Sequence, residues 1–588
     1  MGRPRATDHR VAWLALALAV TFAGYFYHLG GRNILKIGDE DLYIQIARMT
    51  SEQGKLLPLV CEKGICDFKP PLLFWQGIAS TDWGRWWTLL ALRIPSVLYT
   101  AAIALLIGFL TTKLSGQRRT GWLAALIYTG AASTFQYGRP FLTNGPETFW
   151  LFLPVVLLLA FGELSWPVVV ASGLSLGIGA LYKSFMLVVP VTAAFALIQW
   201  RRRGWRLGAT LREDTGRLAV MAAIGVAVFA VWFVFDPYPG TILHDFVVKE
   251  NVGKFEHGSY LTGLLTGHYN AITVIWLGDL VNFGLLGPAL LGLAVVAWRA
   301  RRKPAGHREA DGRFAPRSPT GDYQGSTPTV DPAAPLTPAE RDLWCYVLAF
   351  LIIYTAPRQR QENYLLPTVA ALSVLLALRW ERIPAWFLRV SGMLAVVMVG
   401  GLCWVVTGLP GAVPDVSYHP WQLAVLALLL LLALSAVVGR ADGVRWRLPA
   451  AVAGGWLSLG LALAPFDGPF IPAAGSSLAL LGNRTILFPS TFLMRHERFR
   501  FDVPGSQVAP YDPRDSAATD SLVREGRLMA LTLPLDGAPP PGHIEYAERL
   551  DLRTRIPAPD VRQILLHRRF DLLIGRLVII EGRSDLTP

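Results

Sequence analysis

The sequence contains few charged residues for its length. Only 16% of its 588 residues are Asp, Glu, Lys or Arg, whereas 53% are hydrophobic. Soluble domains carry about 25% charged residues, so this composition excludes an ordinary soluble enzyme. Many apolar runs reach about 20 residues, the length that a helix needs to cross a bilayer. We therefore expect an α-helical integral membrane protein.

Cysteine is also scarce, with four residues in the chain. Cys345 and Cys403 lie in apolar runs, where a buried thiol behaves as a small hydrophobic side chain. Cys61 and Cys66 lie in a segment that we expect outside the cytoplasm, where oxidation is permitted. These two thiols lack further close ligands, so we predict a disulfide between them; a metal site is the alternative.

Positive charge is present, but it is not arranged as a nucleic-acid surface. The net charge is +13, and the basic residues cluster in short loops between apolar runs. Those loops alternate along the chain, as the positive-inside rule requires. Starting from a cytoplasmic N-terminus, the chain threads into about thirteen spans, the first of which we expect to remain as an anchor. They are placed at 11–29, 88–111, 121–137, 146–162, 166–182, 184–200, 217–236, 271–298, 342–356, 363–379, 387–408, 421–439 and 449–466.

Three regions lie outside these spans. Residues 30–87 form a long first external loop, rich in tryptophan. Residues 299–341 are rich in Arg, Pro, Gly, Ser and Thr without apolar periodicity, which predicts a flexible cytoplasmic linker. Residues 467–588 are more polar, with short apolar runs, and predict a small extracytoplasmic α/β domain. The expected organisation is a transmembrane domain over 1–466 followed by this C-terminal domain.

An acidic triplet, Asp39-Glu40-Asp41, follows the first apolar run. Such a cluster at the mouth of a membrane helix is unfavourable unless it faces water, a partner or a substrate. Capping of the following helix is the alternative explanation. Basic side chains come from other external loops, which suits a reaction that deprotonates one oxygen while a phosphate leaves. Lys69 and Lys183 could instead reach lipid headgroups.

The order of motifs resembles one family of membrane enzymes. Asp39 begins D-E-x-x-Y, followed by K-P-P-L-x-x-W from Lys69 and R-x-x-x-T-N-x-P-x-T-F from Arg139. Next come Y-K, E-N-x-G-K-F and R-x-R-x-x-x-Y-L-L-P. Over roughly residues 10–380 this succession is similar to the GT-C glycosyltransferases of the protein O-mannosyltransferase and aminoarabinose–lipid A transferase type.

The resemblance implies a GT-C fold and a sugar transfer with inversion at the anomeric carbon. The donor would be a polyprenyl-phosphate sugar, and the acceptor a lipid A-like glycolipid, a polysaccharide or a protein. The expected location is the bacterial inner membrane, with the active site facing the periplasm and membrane lipids around it. We expect no required cofactor, no metal ligands and no nucleic-acid partner.

The resemblance also implies residue roles. Asp39 would be the general base, with Glu40 orienting it or binding sugar hydroxyls. The residues expected to bind the donor phosphate are Lys69, Lys183, Lys254, Arg360 and Tyr364. The residues expected to bind substrate are Tyr43, Arg139, Asn144 and Glu147.

Three positions depart from the family pattern. Asn144 stands where many relatives carry a second Asp, and an amide cannot act as a base. Glu147, one helical turn further on, is a candidate to restore that charge. Leu42 and Phe68 replace an Arg and a Glu of the aminoarabinose enzymes, which leaves the sugar and the acceptor open.

Two other classes of function compete with an enzyme. A transporter or flippase for a lipid-linked precursor would place ionisable groups near the bilayer midplane, often within inverted repeats. The sequence shows no such repeat, and its unusual polar residues gather on one side. A scaffold protein with a decayed site is the second alternative, suggested only by Asn144.

Overall fold

The computed structural model describes residues 6–31, 38–251, 271–302, 334–357, 359–413, 415–473, 476–491, 494–553 and 556–582. Most of the described chain before residue 464 is helical. Helices α1–α12 are Ala6–Phe26, Gly38–Glu52, Leu72–Ser80, Leu89–Ser115, Arg118–Gly130, Ala132–Gly138, Asn144–Phe161, Trp166–Tyr182, Val188–Arg202, Leu207–Glu213, Thr215–Phe235 and Pro239–Thr241. Helices α13–α20 are Ile272–Trp276, Gly278–Phe283, Gly287–Arg302, Pro338–Thr355, Leu366–Arg379, Ala385–Ala412, Pro420–Val438 and Ala441–Leu463.

The prediction of a multi-pass helical membrane protein is confirmed. Among the described residues, ten helical segments are long and apolar enough to cross a bilayer, and α8 is a shorter apolar helix. Each predicted span coincides with helical structure, although 121–137 is divided into α5 and α6 and 271–298 into α13, α14 and α15. The predicted linker 299–341 includes helical residues at both of its ends, because α15 continues to Arg302 and α16 begins at Pro338. Residues 303–333 lie outside the described part of the chain.

Local sequence signals set several helix ends. Thr88 caps α4 by accepting a hydrogen bond from the Ala91 N–H, and α4 ends at Gly116, whose φ of 70° is left-handed. Glycine adopts that conformation without steric cost, which is why it commonly ends helices. Thr337 and Glu340 form a reciprocal capping box at the start of α16, which explains why the helix begins before its apolar run.

The arginine-rich loops meet at one end of the bundle. Arg201 and Arg202, at the end of α9, both bind Asp342 near the start of α16. Arg379, at the end of α17, forms a buried ion pair with Glu340 on the first turn of α16. These loops come from distant parts of the sequence, and their contacts agree with a threading that puts them on the same side.

The first external loop is folded rather than extended. It contains α2, a hairpin of β1 (Val60–Cys61) and β2 (Gly64–Ile65), and α3. Cys61 and Cys66 are joined by a disulfide across this hairpin. Leu59, Leu73 and Phe141 are among the buried apolar side chains that pack this loop against the helices below it.

The C-terminal residues form the predicted α/β unit. Its strands are β3 (Ile471–Pro472), β4 (Thr485–Pro489), β5 (Gln507–Tyr511), β6 (Met529–Pro534), β7 (His543–Leu552) and β8 (Ile574–Gly582). They form a sheet of order β3-β7-β8-β6-β4-β5, in which β4 is parallel to β5 and β6 and the remaining pairs are antiparallel. Helices α21 (Ser516–Arg524) and α22 (Ala558–His567) connect strands. The apolar runs noted in the sequence become the paired strands β6 and β8.

Candidate active site

A cavity of about 670 Å³ lies where the first turns of α2 and α7 meet the segment between α16 and α17. The loop before α3, the turn after α8 and the π-helix Ile242–Asn251 complete its wall. Residues predicted from separate loops line it together. They are Asp39, Tyr43, Lys69, Asn144, Lys183 and Tyr364.

Asp39 supplies a carboxylate to this cavity from the first turn of α2. Acidic side chains are favourable at a helix N-terminus, which accounts for the position of the triplet. The Asp39 residue remains exposed, so its carboxylate is accessible to a ligand in the cavity. Helix capping alone would not require it to line a cavity with two lysines.

Lys69 pairs with Glu250, an acid that is not among the predicted site residues. Its Nζ atom is 2.6 Å from Oε1 of Glu250, at the end of the π-helix. Burial disfavours the ammonium form, but Tyr43, Glu250 and Asp39 outweigh it, and the pKa of Lys69 lies well above its usual range. Lys69 is therefore a cation at neutral pH. Glu250 is the first residue of the E-N-x-G-K-F motif, and this motif is the sequence feature that could have indicated a role in the site.

Tyr43 lies one helical turn after Asp39, lines the cavity together with Lys69 and packs against the ring of Phe74. Burial raises the pKa of Tyr43 to about 12. The phenol is thus protonated at neutral pH and can donate a hydrogen bond into the cavity.

Lys183 is held by Glu147 and Tyr364. Its Nζ atom is 2.7 Å from Oε2 of Glu147 and 5.2 Å from the centroid of the Tyr364 ring. Only 2% of the Glu147 side chain is exposed, and Glu147 is not a lining residue of the cavity. Its carboxylate therefore contacts Lys183 and is not among the groups that line the cavity.

Amide side chains form much of the remaining polar wall. Asn144, Asn251 and Gln361 line the cavity, and Ser184 donates a hydrogen bond to Oδ1 of Asn251 at 2.7 Å. The buried Nδ2 atom of Asn144 has no hydrogen-bond partner among the described residues. A buried donor of this kind is satisfied when a ligand brings an acceptor.

Glu40 and Arg139, which were predicted to be site residues, are not among the residues that line the cavity. The Glu40 carboxylate accepts two hydrogen bonds of 2.7 Å from Arg93 on α4 and one of 2.7 Å from the Phe141 N–H. Although burial opposes ionisation, these donors lower the pKa of Glu40. Arg139 donates instead to the carbonyls of Tyr25 and Tyr27, at 2.9 and 2.8 Å. Both side chains join external segments to helices.

Arg360 also differs from expectation. Its guanidinium is buried and donates two hydrogen bonds, of 3.0 and 2.7 Å, to the carbonyl of Thr355 at the end of α16. Arg360 is not a lining residue, whereas its neighbours Gln359 and Gln361 are. These hydrogen bonds tie the segment between α16 and α17 to the end of α16. Lys254 lies outside the described residues.

Three comparisons place this architecture among known proteins. A family model described as dolichyl-phosphate-mannose-protein mannosyltransferase matches residues 11–239. The undecaprenyl phosphate-alpha-4-amino-4-deoxy-L-arabinose arabinosyl transferase 1 of Sodalis glossinidius is 26% identical over 464 residues, covering 74% of this chain and 73% of that protein. The corresponding Yersinia enterocolitica transferase is 24% identical over 370 residues, covering 62% of this chain and 58% of that protein.

Solved structures show the same fold at low sequence identity. ArnT from Cupriavidus metallidurans in the apo state aligns with a TM-score of 0.54 and 14% identity, over 97% of this chain and 98% of that one. The same protein bound to undecaprenyl phosphate aligns with a TM-score of 0.55 and 15% identity, over 98% and 99%. The chain thus has the fold of the ArnT structures, and it is similar in sequence to the mannosyltransferase family model and to the two arabinosyl transferases.

Proposed function

We propose that this chain transfers a sugar from a polyprenyl-phosphate donor to an acceptor at the external, periplasmic face of the bacterial inner membrane. The observation that carries the proposal is the shared cavity of the Asp39 carboxylate and the Lys69 ammonium group. A glycosyl transfer of this kind needs a base for the acceptor and a cation for the leaving phosphate. The names of the relatives, which specify undecaprenyl-phosphate sugars, support the donor class.

In the proposed reaction, Asp39 accepts the proton of an acceptor hydroxyl. The acceptor oxygen attacks the anomeric carbon, and its electron pair forms the new glycosidic bond. The bond between that carbon and the phosphate oxygen breaks on the opposite face, so the configuration inverts. The electron pair leaves with the polyprenyl phosphate, whose added negative charge Lys69 and Lys183 stabilise.

The neighbouring side chains assist each part of this reaction. Glu250 and Glu147 hold the two lysines in place, at 2.6 and 2.7 Å. Tyr364 presents its ring to Lys183 and lines the same cavity. Asn144 and the other amides are suited to sugar hydroxyls, because an amide both donates and accepts hydrogen bonds. The acceptor is a glycolipid related to lipid A, a polysaccharide or a protein.

The proposal is tested with purified full-length protein in lipid vesicles and an undecaprenyl-phosphate sugar. Mass spectrometry of glycolipids and glycoproteins from cells with and without the gene identifies the transferred mass and the acceptor. We expect a product that requires both the protein and the lipid-linked sugar. Envelope glycans that are identical in the two strains, together with no turnover in vesicles, would contradict the proposal.

A further inference from the structure

Helix α2 contacts the C-terminal domain on the side away from the cavity. Asp41, Gln45 and Arg48 follow one another at helical spacing and face the 3₁₀ segment Arg495–Phe501 of that domain. Asp39 and Asp41 are two residues apart, which is a rotation of about 200° around a helix of 3.6 residues per turn. The first turn of α2 therefore presents Asp39 to the cavity and Asp41 to the C-terminal domain.

The Asp41–Arg498 ion pair is the contact nearest to Asp39. Arg498 Nε lies 3.1 and 3.0 Å from the two carboxylate oxygens of Asp41, and a second guanidinium nitrogen also binds Oδ2. The side chain of Asp41 is 3% exposed, and that of Arg498 is 11% exposed. A bidentate arginine–carboxylate pair fixes orientation as well as distance, so it restrains the rotation of this turn.

Further along α2, a second group of contacts holds the same face. Arg48 donates hydrogen bonds to both carboxylate oxygens of Glu497, and the bond to Oε2 is 3.2 Å long. Arg500 donates a third hydrogen bond, of 3.1 Å, to the same Oε2 atom. Nε2 of His496 lies 2.9 Å from Oε1 of Glu62 in the β1–β2 hairpin. Glu62, His496 and Glu497 lie close enough to hold a metal ion, but Arg48 and Arg500 already neutralise Glu497. We interpret the group as an ion-pair network.

We propose that Arg498 is a positioning residue for the transfer reaction: through Asp41 it sets the orientation of the first turn of α2 and hence of the Asp39 carboxylate. The proposal rests on the proposed role of Asp39. Glu40, between the two aspartates, is fixed to α4 through Arg93. The first turn of α2 is therefore bound to the helical bundle through Glu40 and to the C-terminal domain through Asp41. In this way the C-terminal domain contributes to catalysis without lining the cavity.

The test compares Arg498→Gln and Arg498→Lys in the full-length protein. A displacement of about 1 Å at a reacting group can lower the rate about 100-fold, so we expect kcat to fall about 10- to 100-fold in Arg498→Gln. Donor KM and donor binding should stay within about twofold, because the lysines that hold the phosphate do not contact Arg498. Arg498→Lys should recover part of kcat. Arg514→Gln, which breaks an exposed ion pair with Asp512 in the same domain, is the matched control.

A merely structural role gives a different result. It would lower the melting temperature and the folded fraction but leave kcat per folded molecule unchanged, and that outcome overturns the proposal. If Arg498→Gln does not fold, kcat of Asp41→Asn and of Arg498→Lys is compared with that of the wild type instead. Wild-type kcat in both variants would contradict the proposal. Asp39→Asn is measured in parallel. If the wild-type protein shows no transfer, the proposed function fails; if Asp39→Asn is fully active, the roles of Asp39 as base and of Arg498 in positioning it fail together. If Asp39→Asn is inactive while both Arg498 variants have wild-type kcat, only the positioning role fails.

Discussion

Asp39 and Glu40 are consecutive residues whose carboxylates have different environments. Asp39 lines the cavity that Lys69 also lines, whereas Glu40 is buried and bound by both Arg93 and the Phe141 N–H. A carboxylate that already accepts three hydrogen bonds is a poor base, since those donors stabilise its ionised form. In the proposed reaction, Asp39 therefore takes part in the chemistry, while the adjacent Glu40 attaches α2 to α4.

Asp39→Asn should abolish transfer and spare donor binding. The substitution keeps the size of the side chain but removes its ability to take a proton, and a general base contributes about 10²–10⁴ in rate. Turnover and binding of an undecaprenyl-phosphate sugar are measured with purified protein. Asp82→Asn, an exposed acid in the same external loop, is the control and should be fully active. Wild-type turnover in Asp39→Asn would place the base elsewhere.

Glu40→Gln should act on stability. Removing one partner of a buried ion pair costs about 3–5 kcal/mol, because the other charge is left without compensation. Thermal unfolding in detergent should show a clear loss, while kcat per folded molecule remains closer to wild type than in Asp39→Asn. Glu163→Gln, at an exposed position, serves as the control. An unchanged melting temperature would contradict the anchoring role of Glu40.

Lys69→Ala should weaken both donor binding and turnover. The ammonium group is expected to contact the phosphate before and during the reaction, so its loss affects the ground state and the transition state. Lys55→Ala removes an exposed lysine of the same loop and should bind the donor normally. The contrast between Lys69→Ala and Asp39→Asn distinguishes an enzyme from a transporter, because a transporter has no reason to separate binding from turnover at these two positions.

Membrane topology gives a separate prediction. A cysteine placed at Lys55, in the first external loop, should react with an impermeant maleimide in intact cells. A cysteine at Arg118, the first residue of α5, should react only after permeabilisation, because the arginine-rich loops are expected on the cytoplasmic side. Labelling of the Arg118 position in intact cells would invert the proposed orientation of the cavity.

Much of the fold follows from short-range patterns in the sequence. Apolar runs of sufficient length become helices, and the runs near 530 and 578 become β6 and β8 because strand-forming residues pair once they can bury one face. Asp39, Lys69 and Lys183, which the resemblance to the family assigned to one site, also line one cavity. The spacing and the chemical type of residues along the chain are sufficient to predict these features.

Other features depend on partners that no local pattern specifies. Nothing in the triplet distinguishes Asp39 from Glu40 until Arg93 is placed beside one of them. Arg360 resembles a phosphate ligand in its motif, yet it binds the carbonyl of Thr355 because α16 ends within its reach. The contact of Arg498 with Asp41 joins residues 457 apart in sequence, and neither had been singled out as a functional residue.

The pH dependence of donor binding follows from the Lys69–Glu250 pair. Burial lowers the pKa of Lys69, but Tyr43, Glu250 and Asp39 outweigh it and raise the pKa above its usual value. A cation with a raised pKa keeps its charge through the pH range in which a free lysine loses it, near pH 10.4. Binding of the donor should therefore remain constant up to about that pH, and the stabilisation that the ion pair gives the folded protein should be lost only above it.

Glu250→Gln tests that account directly. It removes one of the charges that raise the pKa of Lys69, so the alkaline loss of donor binding should move to lower pH, while binding near pH 7 weakens less than in Lys69→Ala. Asp245→Asn, on the same π-helix and paired with Lys249, is the matched control and should leave the profile in place. Equilibrium binding of an undecaprenyl-phosphate sugar is measured from about pH 6 to above about pH 10.4, the range that includes the alkaline loss of binding in the wild type. An alkaline limb that is unchanged in Glu250→Gln would mean that Glu250 does not sustain the charge of Lys69, and that the 2.6 Å contact has no part in holding the donor phosphate.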